Sequence, residues 1–147
     1  MPMIRKMRQE DRDAVLQIWL EGNRSAHPFV PEAYWLSSMP SVREQLLQAE
    51  VYVEEEGSQI RGFVGMVGTY LAGIFVDGRH RSQGIGARLL EYVKERVPAF
   101  SLQVYQKNRR AVAFYQREGL EIAAQGTDPE TGEAEYTMRW ASGQNER

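Results

Sequence analysis

No cysteine occurs anywhere in the chain. That absence excludes disulfides, thiolate metal sites and a cysteine nucleophile. Histidine is nearly as scarce: His27 and His80 are the only two, too few to expect a structural zinc site, and no metal is expected. No stretch approaches the ~20 apolar residues of a membrane helix. The opening Met1-Pro2-Met3-Ile4-Arg5-Lys6 has no apolar segment of signal length behind it. The expected location is therefore cytoplasmic, with no membrane partner. Charge of one sign is lacking too. The formal net charge is −2, and no clustered basic stripe draws the chain to nucleic acid. Any anion it binds must be held by local geometry.

What is there is an ordinary globular composition, with 147 residues, 42% hydrophobic and 26% charged. That is enough for one domain with a real core. The expected domain runs over 1–141, and the small polar stretch 142–147 reads as a flexible tail. Repeats, low-complexity tracts and linkers are absent.

The spacing predicts a short strand at Ile4 to Arg8, then a helix opened by acidic Glu10, Asp11 and Asp13 with Val15, Ile18, Trp19 and Gly22 on one stripe. Ser25 to Pro31 reads as irregular. Glu32 to Ser38 reads as a short helix broken by Pro40, and Ser41-Val42-Arg43-Glu44 as a capping box that starts another. Val51 to Glu55 and Ile60 to Val67 form a hairpin around Glu56-Gly57-Ser58-Gln59, and Tyr70 to Val76 is a further strand. Helical spacing returns from Gly84 to Val97. Phe100 to Tyr105 is a strand, Asn108 caps a helix stopped by Gly119, and Leu120 to Ala124 with Glu135 to Trp140 form a last hairpin. The order β-α-α-β-β-β-α-β-α-β-β implies an α+β fold of three-layer α/β type. A central mixed, mostly antiparallel sheet of about seven strands is flanked by about four helices.

One junction carries chemistry. Ile74-Phe75-Val76 ends a strand, Asp77-Gly78-Arg79-His80 turns the chain, and Arg81-Ser82-Gln83-Gly84-Ile85-Gly86 enters a helix. The first four N–H groups of a helix lack internal partners and face outward with the positive end of the dipole, which suits an anion. Gly84 and Gly86 leave room for a phosphate oxygen to approach the backbone. Arg79 and Arg81 add charge. The segment is neither a dinucleotide fingerprint nor a P-loop, since the third glycine and a following Gly-Lys-Ser/Thr are missing. Taken alone it is equally a tight turn with two solvated arginines.

One strand later, Asn108-Arg109-Arg110-Ala111-Val112-Ala113-Phe114-Tyr115 runs on to Gly119-Leu120. Together the segments resemble the GNAT superfamily of acetyl-CoA-dependent N-acetyltransferases. Its Arg/Gln-x-x-Gly-x-Gly/Ala pattern is met by Arg81, Gly84 and Gly86. Its Asn-x-x-Ala-x-x-Phe/Leu-Tyr-x-x-x-Gly-Phe pattern is met by Asn108, Ala111, Phe114, Tyr115 and Gly119, with Leu120 for the usual Phe. The resemblance is firm from Val51 to Trp140. It implies that backbone groups of Ile74, Phe75 and Val76 bond the pantetheine arm of acetyl-CoA, that the Arg81, Ser82, Gln83, Gly84, Ile85, Gly86 and Ala87 loop holds the pyrophosphate, and that Asn108 meets the pantetheine end. It implies that Tyr115 hands a proton to the leaving thiolate, with an N–H, that of Ile74, stabilising the oxyanion.

The resemblance also exposes a departure. An alkyl amine must lose a proton before it attacks, and the family often seats a Glu or His on the fourth strand to take it. Plain alternation puts Tyr70, Ala72, Ile74 and Val76 on one face, so Tyr70 and Ala72 hold the usual base positions. His27, in the irregular N-terminal segment, and Tyr70 are the candidates to line the acceptor site, with His27 the better base. A water chain to Glu54 or Glu32 is a third route, and a packing role for His27 is the plain alternative. The expected function is acetyl transfer from acetyl-CoA to a primary amine of a small molecule or peptide, in a monomer or homodimer. A cofactor-binding sensor without turnover is the competing reading.

Overall fold

The computed structural model describes residues 1–143, so residues 144–147 of the expected tail lie outside it. The chain runs through β1 (Met3–Lys6), α1 (Arg12–Ala26), α2 (Glu32–Gln48), β2 (Glu50–Glu56), β3 (Gln59–Val67), β4 (Tyr70–Val76), α3 (Ile85–Lys94), β5 (Ala99–Tyr105), α4 (Arg109–Arg117), β6 (Glu121–Thr127) and β7 (Ala134–Ala141). The seven strands form one sheet in the order β1-β2-β3-β4-β5-β7-β6. Every pairing is antiparallel except β4 with β5, so the expected mixed sheet is present.

Helices cover both faces. Val15, Leu16 and Ile18 of α1 and Leu46 of α2 pack on Val51, Val53 and Phe63. Ile85, Leu89, Leu90 and Val93 of α3 pack on Tyr52, Val64, Met66 and Leu71, with Tyr115 of α4 in the same cluster. β2 thus buries both its faces, Val51 and Val53 toward α1 and Tyr52 toward α3, as the inner strand of a three-layer fold should. Local signals explain the boundaries. Gly57 and Ser58 at φ +56° and +71° make the two-residue β2–β3 turn, the double positive φ that a right-twisted hairpin prefers. The Asn108 side chain accepts the Ala111 N–H at the start of α4. Gly119 at φ +94° ends it, with Leu120 N–H bonded to the Tyr115 carbonyl and Gly119 N–H to that of Gln116, a Schellman closure.

Two expectations are corrected. Pro40 does not break a helix: α2 is continuous with Pro40 inside it. Proline costs its own N–H and displaces the carbonyl four residues earlier. Here both Pro40 and Leu36 are exposed, so the carbonyl left without a donor faces solvent. The Ser41 to Glu44 segment therefore caps nothing, and the Ser41 hydroxyl instead accepts from the Gln45 amide at 3.2 Å.

The second correction concerns β4. Its pairing with β3 runs Val76 to Gly62, Phe75 to Phe63, Ile74 to Val64 and Gly73 to Gly65, but then Leu71 to Met66 and Tyr70 to Val67. Ala72 is an extra, bulged residue. The bulge reverses the alternation. Leu71, Ile74 and Val76 share the α3 face, whereas Tyr70, Gly73 and Phe75 lie opposite Val67, Gly65 and Phe63 on the α1 face. Tyr70 and Ile74 are on opposite faces, not the same one.

Candidate active site

β4 and β5 are bridged at a single pair, Tyr70 with Ser101, reinforced by the Ser101 N–H on the Thr69 carbonyl at 3.0 Å. Beyond it the two strands part toward Val76 and Tyr105. Ile74, Phe75 and Val76 therefore keep β3 on one edge and present an unpaired edge on the other. Unpaired strand edges recruit an extended ligand.

The loop after β4 is held from both sides. Asp77 accepts the Arg79 N–H at 2.9 Å, and the Arg79 guanidinium folds back onto the same carboxylate at 2.8 Å, so Arg79 is occupied within its own turn. Arg81 donates to the Ser25 hydroxyl at 2.8 Å. Ser82 and Gly84 take φ of +64° and +76°. Gly84 is the N-cap of α3 and, having no side chain, leaves the first turn uncapped. The N–H groups of Ile85, Gly86 and Ala87 thus sit at an open helix start, the arrangement that binds phosphate. The two glycines differ in reason. A Cβ at Gly84 would crowd the Arg88 guanidinium at 3.3 Å, whereas one at Gly86 would make ordinary contact with Phe114 and Val76.

A buried polar brace lies beneath the loop. Glu54 of β2, 1% exposed, takes two hydrogen bonds from Arg88 at 2.7 and 2.9 Å. The remaining edge of Arg88 donates to the Gln83 carbonyl at 2.8 Å. Buried Arg61 of β3 donates to the Gln83 side chain and to Glu56. Glu54, one of the carboxylates considered for a water chain, is fully engaged by Arg88. Glu32 is paired with Arg24 at 2.9 Å.

Tyr115 of α4 is buried in the core cluster on the α3 face of the sheet. Burial pushes its hydroxyl well above the usual phenol range, and nearby Tyr70 adds to the effect. Tyr70 is raised too, by burial first and then by the charges of Glu135 and Asp128, and its hydroxyl donates to Gln103 Oε1 at 3.3 Å. A raised phenol that is already donating stays protonated and is a poor proton acceptor.

His27 follows the end of α1 and both its ring nitrogens are taken. Asn23 Nδ2 donates to the Trp19 carbonyl at 3.0 Å, which turns its Oδ1 toward His27 Nδ1 at 3.1 Å. Asn108 gives its Oδ1 to Ala111 N–H, which turns its Nδ2 toward His27 Nε2 at 3.2 Å. Backbone groups at both ends fix the amides, and the amides fix the ring: Nδ1 carries the proton and Nε2 accepts. Burial lowers its pKa to about 4, so it is neutral at ordinary pH. Around it stand Tyr105, Trp35 and Phe29 at ring distances of 4.9, 5.5 and 5.6 Å. Tyr105 donates to Asp128 at 2.6 Å and Tyr34 to Glu130 at 3.0 Å. The structure thus brings His27 to Asn108 and Tyr70 to Gln103. His80 lies in the turn before the loop, away from these partners, with its Nε2 buried.

From sequence, Glu54 enters only as the end of a water chain, and Asn23, Arg88, Tyr105 and Asp128 are passed over. Asn23 had a signal, since it stands four residues before His27 and four after Trp19 on a helical stripe. The Glu54–Arg88 pairing joins positions 34 apart through tertiary contact and had none. No helix among the described residues is long and apolar enough to cross a membrane.

Residues 12–120 match the acetyltransferase (GNAT) family. The chain is 39% identical over 140 residues to the peptidyl-lysine N-acetyltransferase YiaC of Escherichia coli (strain K12), covering 94% of this chain and 96% of that one. Its fold is similar to the solution structure of apo-form YjaB from Escherichia coli, with a TM-score of 0.85, 24% identity and coverage of 95% and 97%. It is also similar to PaiA N-acetyltransferase from Thermoplasma acidophilum in complex with coenzyme A, with a TM-score of 0.79, 16% identity and coverage of 96% and 99%. Both motifs, the splayed strands and the open helix start occur together in a chain that belongs to the GNAT family of acetyltransferases.

Proposed function

We propose that this enzyme moves the acetyl group of acetyl-CoA to the side-chain amine of a lysine in a peptide or protein, by direct attack of the amine on the thioester. The splay between β4 and β5, opening beside the uncapped start of α3, carries this reading. The open edge of Ile74, Phe75 and Val76 would take the pantetheine arm. The N–H groups from Gln83 to Ala87 would hold the pyrophosphate, with Arg81 and Ser82 flanking it. Asn108, fixed by Ala111 and His27, would meet the pantetheine end.

Tyr115 supplies the proton that the departing thiolate needs. A free thiol has a pKa of about 8.5, and Tyr115, raised by burial, stays protonated until that thiolate forms. The Ile74 N–H would face the developing oxyanion. On the acceptor side, Phe29, Trp35 and Tyr105 form an aromatic wall, and Asp128, Glu130 and Glu135 lie on the facing hairpin. Rings and carboxylates together attract an ammonium on a flexible stem. The relative YiaC bears the name peptidyl-lysine N-acetyltransferase, which fits the same acceptor class. The geometry supports a wall role for Tyr70 and an anchoring role for His27 in place of base catalysis. A thiol-release assay with acetyl-CoA and lysine peptides tests the reading. Coenzyme binding without turnover of any amine would return the chain to the sensor reading.

A further inference from the structure

Accepting the transfer to an ammonium set out above, β4 offers no carboxylate to remove its proton, and His27 Nε2 is already bonded to Asn108. We propose that the carboxylate of Glu135, on β7, is the general base of this enzyme.

The placement follows from register. Glu135 lies directly opposite Tyr105, and Thr137 directly opposite Gln103. Directly opposed residues share a face of the sheet, so Glu135, Tyr105, Thr137 and Gln103 present one surface. His27 packs on that surface through Tyr105 at 4.9 Å, and the Tyr70 hydroxyl reaches it through Gln103 at 3.3 Å. The charge of Glu135 in turn reaches the Tyr70 hydroxyl. Glu135 is therefore on the acceptor face at the open end of the splay, on the strand beside β5.

Its neighbours in the β6–β7 hairpin are all committed. Asp128 holds the Tyr105 hydroxyl at 2.6 Å, Glu130 the Tyr34 hydroxyl at 3.0 Å, and Glu133 pairs with Lys107 at 3.0 Å. The Gln106 amide reaches only the Glu135 backbone carbonyl. Among the described residues, the Glu135 carboxylate takes no hydrogen bond and no ion pair. It is half-buried, and a half-buried carboxylate without a partner is costly unless it has work to do.

The groups that bear on it are Asp128 from the hairpin loop, Tyr105 directly opposite on β5 and Tyr70 from β4, with Glu133 of the Lys107–Glu133 pair two positions before it in the chain and neutral His27 packed on Tyr105. Burial first and Asp128 second lift the Glu135 pKa above the ordinary carboxylate value, which brings it closer to the working range of a base. The step balances. The lysine ammonium gives one proton to Glu135, directly or through one water. The freed lone pair forms the C–N bond. As the C–S bond breaks, its electron pair leaves on sulfur and takes the Tyr115 proton. The second proton shed by nitrogen restores Tyr115, and Glu135 releases its own to solvent.

The test is kcat and kcat/KM against pH for Glu135→Gln, with acetyl-CoA and a single-lysine peptide. General-base removal lowers kcat by about 100-fold or more and flattens the acidic limb of the profile. Glu135→Asp restores part of the rate and the limb. Asp128→Asn, which removes the charge that lifts Glu135, moves the limb to lower pH. A Glu135→Gln enzyme with the original kcat and limb overturns the proposal, as does one changed only in KM for the peptide. Should Glu135→Gln melt early, an unmoved limb in Asp128→Asn overturns it instead. Wild-type turnover of the lysine peptide decides the underlying reading separately, since a wild type inactive on every amine sinks both.

Discussion

Arg88 closes on the buried Glu54 carboxylate with two hydrogen bonds, of 2.7 and 2.9 Å, and spends its third donor on the Gln83 carbonyl at 2.8 Å. A β2 side chain thereby sets the shape of the loop that leads into α3. The carboxylate end of the pair is buried, and the arginine end keeps contact with water.

Arg88→Gln leaves that carboxylate buried without its cation. Removing one partner of a buried pair costs about 2–3 kcal/mol here, below the fully buried range because Arg88 is partly exposed. The expected melting temperature falls by roughly 5–10 °C. The KM for acetyl-CoA rises more than the KM for the acceptor, since the loop and not the acceptor wall loses its brace. Differential scanning calorimetry and steady-state kinetics check both.

Gly84 and Gly86 part company under the same substitution. Gly84→Ala forces a side chain into φ +76° and against Arg88, at about 1–2 kcal/mol. Gly86→Ala meets only ordinary contacts with Phe114 and Val76 and stays within about 0.5 kcal/mol. Thermal melts of the two variants, with and without coenzyme A, separate them.

His27→Gln tests the anchor. In the native chain the ring pKa is about 4 against an ordinary 6.5. Between these values the unfolded chain binds more protons than the folded one, so this contribution is full above about 6.5 and lost as pH falls toward 4. For a half-buried ring it amounts to roughly 2 kcal/mol after screening. The variant loses that slope of stability with pH. Its KM for acetyl-CoA rises about five-fold, the worth of about one hydrogen bond on Asn108. The acidic limb of kcat stays where it is.

Tyr115→Phe keeps the shape of a buried ring and removes the proton. The expected kcat falls by about 100-fold, with the melting temperature within about 2 °C. Because burial raises Tyr115, the native enzyme shows no alkaline loss of kcat from this group through pH 9.

These outcomes rest on parts that were unequally legible beforehand. The strand limits Tyr70 to Val76, the Asn108 cap and the Gly119 stop are local signals, and they appear where turn and cap chemistry put them. Pro40 misled because its neighbours' exposure, not its identity, decides whether a helix tolerates it. The bulge at Ala72 lies within an apolar run that carries no alternation to betray it, and it moved Tyr70 to the other face. His27 was visible as a candidate, but its role depends on Asn108, 81 positions away. The residues proposed to hold the cofactor form a contiguous loop and helix start, so their signal is local. The surface proposed for the acceptor joins α1, β5 and the last hairpin, and no local pattern reports that meeting.

The most direct measurement uses one peptide that carries both a free α-amine and a single lysine, incubated with acetyl-CoA and mapped by tandem mass spectrometry. Acetyl is expected on the lysine Nε, with coenzyme A released in equal amount and both lost in Tyr115→Phe. Acetyl confined to the α-amine, or none on either amine while coenzyme A still binds, would contradict it.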